Sequence, residues 1–151
     1  MNYWLMKSEP DAYSIDDLKK DKKTLWDGIR NYQARNFMMK DMQIGDQVLF
    51  YHSNAKPPGI VGLGEISKQA MPDPTQFDKK SNYFDAKSSK ENPRWHCVEV
   101  KYKDKFKSML SLNEIKEVKP LKDMMVIKKG ARLSIQPVDK KDFNYILKTL
   151  G

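Results

Sequence analysis

The chain has 151 residues, of which 39% are hydrophobic and 32% charged, and its 28 basic against 20 acidic residues give a formal net charge of +8. This length is typical of one globular domain, residues 1–151, and no apolar run reaches the roughly 18 residues of a membrane span. The single Cys97 excludes an intramolecular disulfide framework, and the positive charge favours a polyanionic partner over an acidic substrate.

The first residues predict a buried strand and no targeting signal. Residues 3–6 are apolar, and Lys7 and Glu9 follow at once before Pro10 removes a ladder donor and ends the strand. Lys7 and Ser8 are therefore expected at a strand terminus. Because no signal peptide is visible, we expect a cytoplasmic or nuclear protein.

Two serine-led patterns and one aspartate predict helix starts. Ser14 and Ser111 are each followed three residues later by an acid, as in a capping box. Asp139 precedes a closing helix with an apolar stripe.

The first of these helices ends among lysines, and much of the excess positive charge of the chain comes from lysine. Such lysines can attract a polyanion or simply form solvated faces. They form two clusters, Lys19, Lys20, Lys22 and Lys23, and Lys101, Lys103, Lys105 and Lys107.

Residues 26–36, WDGIRNYQARN, are too polar for a core segment and too aromatic for a linker. Gly28 permits backbone angles that a β-carbon makes costly, so Trp26 can leave one element while Asn31 caps an amphipathic helix. An aromatic face followed by a helix N-terminus suits a planar, polar, partly anionic ligand such as a nucleotide. The alternative is that Trp26 is simply a core residue.

Further strands are predicted on both sides of a long loop. Residues 47–52 indicate a strand buried on both faces that delivers His52 and Ser53 to its end. Residues 60–66 form another, whose glycines mark either a bulge or a close approach of another group. Residues 94–106 alternate apolar and charged side chains, as a long strand does.

The loop at residues 71–93 contains Phe77, Tyr83 and Phe84, and its aromatic content predicts a packed rather than disordered segment. Phe84 and Trp95 are expected in the core.

The last predicted strand covers residues 130–137 and would place Arg132, Ser134 and Gln136 on one face. With this strand the chain has about five strands and several short helices, without regular strand–helix alternation or a glycine-rich phosphate loop. The pattern therefore favours an α+β fold, in which a mixed sheet curls into a small barrel with helices packed outside.

The sequence offers little support for catalysis or metal binding. His52 and His96 have no metal-ligand spacing, and Cys97 beside His96 cannot form a nucleophile–base pair on a strand, where consecutive side chains point to opposite faces. There is no serine nucleophile elbow. We therefore expect no catalytic residues, metal or cofactor, although an enzyme that processes a small molecule or nucleotide stays the alternative.

Seven motifs, in order and nearly end to end, resemble the EVE domain family. They are YWLMKSEPDAYSIDDL, WDGIRNYQARNF, LFYHSN, PPGIVGLGEI, PDPTQFD, ENPRW and RLSIQPV. The resemblance implies a PUA-like mixed barrel of about five to six strands, related to the YTH domain that holds a methylated adenine in an aromatic cage. It also implies a non-catalytic reader of a modified base in nucleic acid. The proposed ligands are 5-methylcytosine and its oxidised forms in DNA, whereas PUA-like relatives more often bind RNA.

By analogy with that cage, Lys7 and Ser8 are expected at the pocket floor and Trp26 as the wall on which a base stacks. Guanidinium groups beside a helix N-terminus or on one strand face are predicted to bind phosphates. The remaining pocket residues implied by the resemblance are Asn31, Tyr32, His52, Ser53 and Tyr83, and the predicted phosphate contacts are Arg30, Arg35 and Arg132.

Overall fold

The computed structural model describes residues 1–130 and 132–150. Its strands are β1 (Tyr3–Ser8), β2 (Lys23–Leu25), β3 (Gln47–His52), β4 (Gly59–Pro72), β5 (His96–Ser111) and β6 (Ile135–Val138). The α-helices are α1 (Ile15–Asp21), α2 (Tyr32–Asn36), α3 (Leu112–Glu117) and α4 (Lys140–Leu150). A π-helical turn, Phe37–Asp41, continues α2.

The six strands form one mixed sheet in the order β2-β5-β4-β3-β1-β6, which confirms the predicted α+β class and the strand count. Only β1 and β3 run parallel; the other neighbours are antiparallel. Within the described residues the sheet is open rather than a closed barrel, with β2 and β6 as its edges. Both edges are short, and Pro137 in β6 cannot donate to a further strand.

Helices cover both faces of this sheet. Alternate residues of β1 and β3 enter two separate core clusters, so that Trp4 and Phe50 pack with α1 and α2. Leu5 and Leu49 pack on the other face with α3 and α4. The two-sided burial predicted for residues 47–52 is confirmed, and it fixes the C-terminal end of β1 rigidly beside that of β3.

Capping explains where the short helices begin. The side chains of Ser14 and Ser111 accept hydrogen bonds from Asp17 N and Glu114 N, and both predicted capping boxes are complete.

Both alternatives considered for the glycines of β4, a bulge and a close approach of another group, are present. The β4–β5 register shifts at several points, and a β-carbon on Gly62 would stand 2.6 Å from the Ile15 side chain. The missing side chain thus lets α1 approach the sheet.

The sequence analysis missed one strand and placed the start of the last strand too early. β2 was not predicted, because three residues carry too little periodicity. β6 begins at Ile135, so Arg132 and Ser134 lie outside it while Gln136 is buried, and the three do not share a strand face. Ala131, in the predicted strand, lies outside the described residues.

Three lysines of the second cluster form ion pairs within the chain, an arrangement that neither interpretation specified. Lys101 and Lys103 contact Glu65, and Lys105 contacts Asp16.

No helix in residues 1–130 and 132–150 combines the length and apolarity needed to cross a bilayer.

Candidate functional site

A cleft of about 560 Å³ opens at the C-terminal end of β1, where residues 24–29 pass beneath a loop from the other side of the domain. This volume lies within the range of roughly 300–1,000 Å³ typical of small-ligand pockets. Four of the predicted pocket residues line it, namely Lys7, Ser8, Trp26 and Tyr83. A second cavity of about 530 Å³ lies at the opposite end of β1 and contains none of them.

Trp26 is a wall of the cleft and a member of the core at the same time. Only 7% of its surface is exposed, and its ring meets that of Phe50 edge-on at 5.5 Å between centroids. The backbone N–H of Trp26 also donates to Val98 O at 2.8 Å, which ties it to β5. Trp26 is therefore a core residue that also lines the cleft, and its role as a stacking wall stays a prediction.

Tyr83 also lines the cleft and is 46% exposed. Arg30 holds it in place, because its Nε and Nη2 donate to Tyr83 O at 3.1 and 2.6 Å. The Arg30 guanidinium also lies 5.5 Å from the Tyr83 ring centroid, within cation–π range. The position of the ring thus depends on an arginine located 53 residues earlier in the chain.

Asp73 is the fully buried group that joins residues 24–29, which line the cleft, to this loop. Its Oδ2 accepts from Gly28 N at 2.8 Å and from Arg30 Nη1 at 3.2 Å. Its Oδ1 accepts from the backbone and the hydroxyl of Thr75, at 2.8 and 2.6 Å. Four donors satisfy the charge, so the carboxylate can remain buried without water.

The phosphate role predicted for Arg30 does not fit these contacts. An arginine has five N–H donors, and those of Arg30 make five hydrogen bonds within the chain. Besides Asp73 and Tyr83, they reach Ile29 O and Thr75 Oγ1. We therefore assign Arg30 to holding the loop, not to a phosphate.

The floor of the cleft is formed at the end of β1. The Ser8 hydroxyl donates to Tyr13 O at 2.7 Å, which leaves its oxygen free to accept a hydrogen bond from a ligand. Burial lowers the pKa of Lys7, whose Nζ lies 5.7 Å from the centroid of the Tyr51 ring. Lys7 and Ser8 are therefore placed at the strand end, as predicted.

His52 and Ser53 lie beside the floor but outside the lining of the cleft. His52 Nε2 accepts from Ile15 N at 3.1 Å, and burial lowers the His52 pKa, which favours the neutral ring that this bond requires. Ser53 N donates to Ser8 O at 3.0 Å. Both residues support the site through α1 and β1 instead of facing a ligand.

Asn31 and Tyr32 face a second surface, on the far side of Arg30. Asn31 caps α2 as predicted, its side chain accepting from Ala34 N at 2.9 Å. Tyr32 is 49% exposed and stacks on Trp95 at 4.9 Å between ring centroids. Arg35 lies 4.7 Å from the Tyr32 ring centroid. Neither Asn31 nor Tyr32 lines the cleft.

The two other predicted phosphate contacts differ in how far they are engaged. Arg35 donates to Arg94 O and to Asn36 Oδ1, so part of its guanidinium is occupied. Arg132 is exposed, away from the strand in which it was expected.

The loop between Asp73 and Trp95 is packed, as its aromatic residues predicted. Buried Gln76 is its centre: its amide N–H groups donate to Asp73 O and Trp95 O, and its carbonyl accepts from Trp95 N. Trp95 is buried as expected, but the core position predicted for Phe84 is wrong, since Phe84 is 38% exposed. The adjacent Tyr83 makes the contacts with Gly28 and Arg30 that order this turn.

Sequence reasoning missed Asp27, which lines the cleft between Trp26 and Gly28. Although Asp27 is exposed as a whole, partial desolvation raises the pKa of its carboxyl, the nearby Asp73 raises it further, and Arg30 lowers it. Its position inside the WDG run was the only signal available. In residues 1–130 and 132–150, no three His, Cys, Asp or Glu side chains gather in a way that could hold a metal ion.

Fold and site together define a small α+β domain with a cleft whose lining includes a buried indole and a partly exposed phenol. Residues 2–149 match the model of the EVE domain, and the chain belongs to this family. Thymocyte nuclear protein 1 of Gallus gallus is 44% identical over 96% of this chain and 67% of its own length.

Two solved structures extend the comparison. A protein from Leishmania major is 47% identical with a TM-score of 0.93, covering 99% of this chain and 94% of its own. The human THYN1 protein, solved in complex with DNA containing 5-methylcytosine, is 41% identical with a TM-score of 0.91, covering 99% and 97%. An EVE domain similar to this chain is thus solved bound to methylated DNA.

Proposed function

We propose that this protein is a non-catalytic reader of a modified base in nucleic acid. A base such as 5-methylcytosine, or an oxidised form of it, leaves its stack and enters the cleft between Trp26 and Tyr83. The observation that carries the proposal is a cleft lined by Trp26 and Tyr83 in a chain that is 41% identical to a protein solved in complex with 5-methylcytosine-containing DNA.

The walls and floor of the cleft match the two needs of a nucleobase. A planar base stacks on aromatic rings, which contributes on the order of 1–3 kcal/mol per base. Its polar edge needs hydrogen-bond partners once it leaves the duplex. Ser8 and Lys7, at the end of β1, supply such groups on the floor.

The net charge of +8 supports binding to a polyanion. The exposed Arg132 and the partly engaged Arg35 are the guanidinium groups that we assign to the phosphate backbone. The Tyr32 ring stacks on Trp95 beside Arg35, and a neighbouring base or sugar can pack against it.

The methyl group alone cannot account for strong selectivity. Its burial contributes only about 0.8 kcal/mol, which is less than tenfold in affinity. Larger selectivity requires that the polar edge of the base is satisfied inside the cleft, because unpaired buried polar groups are costly. Recognition therefore combines stacking with reading of the edge.

Replacing Tyr83 by alanine tests the proposal, with Phe84→Ala as the matched control. The two aromatics are adjacent and similarly exposed, but only Tyr83 lines the cleft. Fluorescence anisotropy with a single strand carrying one 5-methylcytosine should show a loss of about 1–3 kcal/mol for Tyr83→Ala and little change for Phe84→Ala. Equal effects of the two variants, or no binding by the unaltered protein, would refute the proposal.

Two further arms separate the alternatives. An RNA strand with the same modified base shows whether RNA is bound more tightly than DNA. Mass spectrometry of the strand after prolonged incubation detects any chemical change, which a nucleotide-processing enzyme would cause and a reader would not. A reader also loses affinity steeply as salt rises.

A further inference from the structure

Asp27 occupies the position from which the edge of a stacked base can be read. It follows Trp26, one wall of the cleft, and precedes Gly28, against which the ring of the other wall, Tyr83, is packed. A base bound in the cleft therefore lies next to the segment that contains Asp27. A carboxylate there accepts hydrogen bonds and cannot donate them when ionised.

Two other carboxylates at or near the cleft are already engaged. Glu9 also lines it, but its carboxylate accepts from the side-chain amide of Asn54. Asp73 is saturated by Gly28, Arg30 and Thr75. Within the described part of the chain, no other residue donates a hydrogen bond to the Asp27 carboxylate. Asp27 thus has acceptor capacity left for a ligand.

A hydrogen-bond donor from a ligand would stabilise the ionised carboxylate of Asp27. Asp27 is an exposed residue, so solvent hydrates its carboxylate in the free protein, while partial desolvation and the nearby Asp73 both raise its pKa. Arg30, the nearest cation, is committed to the loop, and the other charged or titratable groups that line the cleft are Lys7, Glu9, Tyr13 and Tyr83. An N–H from a bound base would supply the missing partner.

We propose that Asp27 accepts a hydrogen bond from the exocyclic amino group of the bound base. The pocket then selects cytosine and its 5-substituted forms against thymine and uracil, which present a carbonyl oxygen at the same position. Carboxylates pair with the cytosine amino group in the same way when proteins read DNA in the major groove. A carbonyl facing the carboxylate would place two acceptors together, with no hydrogen between them. This inference rests on the proposed function and names the specificity determinant of that site.

Single strands that carry either one 5-methylcytosine or one thymine in the same sequence isolate this contact. Both bases have the same 5-methyl group, so they differ only in the amino or carbonyl group and the adjacent ring nitrogen. The unaltered protein should bind the 5-methylcytosine strand roughly 10- to 100-fold more tightly, the discrimination expected of a well-placed edge contact. Each strand is titrated by fluorescence anisotropy at fixed salt.

Asp27→Asn should bring this ratio close to one, because an amide can turn either its oxygen or its nitrogen towards the base. Asp11→Asn is the control, since Asp11 is an exposed carboxylate outside the cleft and its replacement changes the net charge equally. Asp11→Asn should leave the ratio unchanged. Thermal unfolding of both variants establishes that each is folded at the temperature of the titration.

The outcomes separate this inference from the proposed function. If the unaltered protein binds both strands equally, or if Asp27→Asn keeps the full preference, Asp27 does not read the amino group, while a Tyr83-dependent affinity would still support the pocket. If neither strand is bound, the proposed function itself fails. A ratio that falls equally in Asp11→Asn would assign the effect to net charge and overturn the inference.

Discussion

The ring of Tyr83 lies so close to Gly28 that a β-carbon on Gly28 would stand 2.8 Å from its Cε2 and Cζ atoms. Gly28 also has a φ of +79°, a conformation that L side chains rarely adopt. Glycine is therefore required there twice, by the backbone and by the ring packed on it. This contact brings the Tyr83 ring against the backbone of the cleft at residue 28.

Gly28→Ala should displace the Tyr83 ring and weaken binding of a strand with 5-methylcytosine. The exposed end of the ring can move at little cost, so the loss of stability should come mainly from the left-handed backbone, about 1–2 kcal/mol. Gly45→Ala is the control, because Gly45 has a φ of +97° and nothing within 4 Å of its added β-carbon. Both variants should lose similar stability in urea, and only Gly28→Ala should lose affinity.

Asp73→Asn should destabilise the domain strongly. The amide would present a donor where Gly28 N and Arg30 Nη1 now donate to Oδ2, and breaking a buried ion pair costs about 3–5 kcal/mol. Asp16→Asn removes an exposed pair with Lys105 and should cost at most about 1 kcal/mol. Urea unfolding at neutral pH measures the stability of both variants. Equal losses would show that the contacts of Asp73 with Gly28 and Arg30 do not hold the loop in place.

Trp26→Phe should lower both the melting temperature and the affinity, because Trp26 belongs to the core and to the cleft. Trp26→Ala is unsuitable as a probe, since a truncated buried tryptophan costs about 3–5 kcal/mol. Trp4→Phe alters a tryptophan of the same core cluster that lies outside the cleft. Binding is compared at a temperature where both variants are folded, and an affinity loss shared by Trp4→Phe would mean that Trp26 acts only through stability.

Arg132→Gln should weaken methylated and unmethylated strands alike and flatten the salt dependence of binding by about one unit. Arg30→Gln provides the contrast, because its donors are used within the chain and its loss should disturb Tyr83 and stability instead. Titrations of both strands over a range of salt concentrations measure these effects. A change in discrimination caused by Arg132→Gln would assign that residue to the base.

The sequence predicts those features that depend on neighbouring residues. The capping boxes at Ser14 and Ser111 and the cap at Asn31 each involve contacts three residues apart, and all three are present. Lys7 and Ser8 were located correctly because an apolar strand followed by proline marks its own end. The α+β class follows from the same local patterns.

The features that were missed depend on contacts between distant residues. Asp73 meets Gly28 across 45 residues, and His52 meets Ile15 across 37, so nothing local shows that these side chains are engaged. Arg30 has the appearance of a free guanidinium in the sequence for the same reason. The path of the loop decides whether Tyr83 or the adjacent Phe84 faces the cleft.

The measurement that tests the central claim most directly is a titration of one 5-methylcytosine in three settings: a single strand, a mismatched duplex and a fully paired duplex. A base that enters the cleft must leave its stack, and unpairing costs a few kcal/mol. We therefore expect the single strand and the mismatched duplex to bind at least as tightly as the paired duplex. Distinctly tightest binding to the fully paired duplex would contradict the claim, because the base would then be read in place.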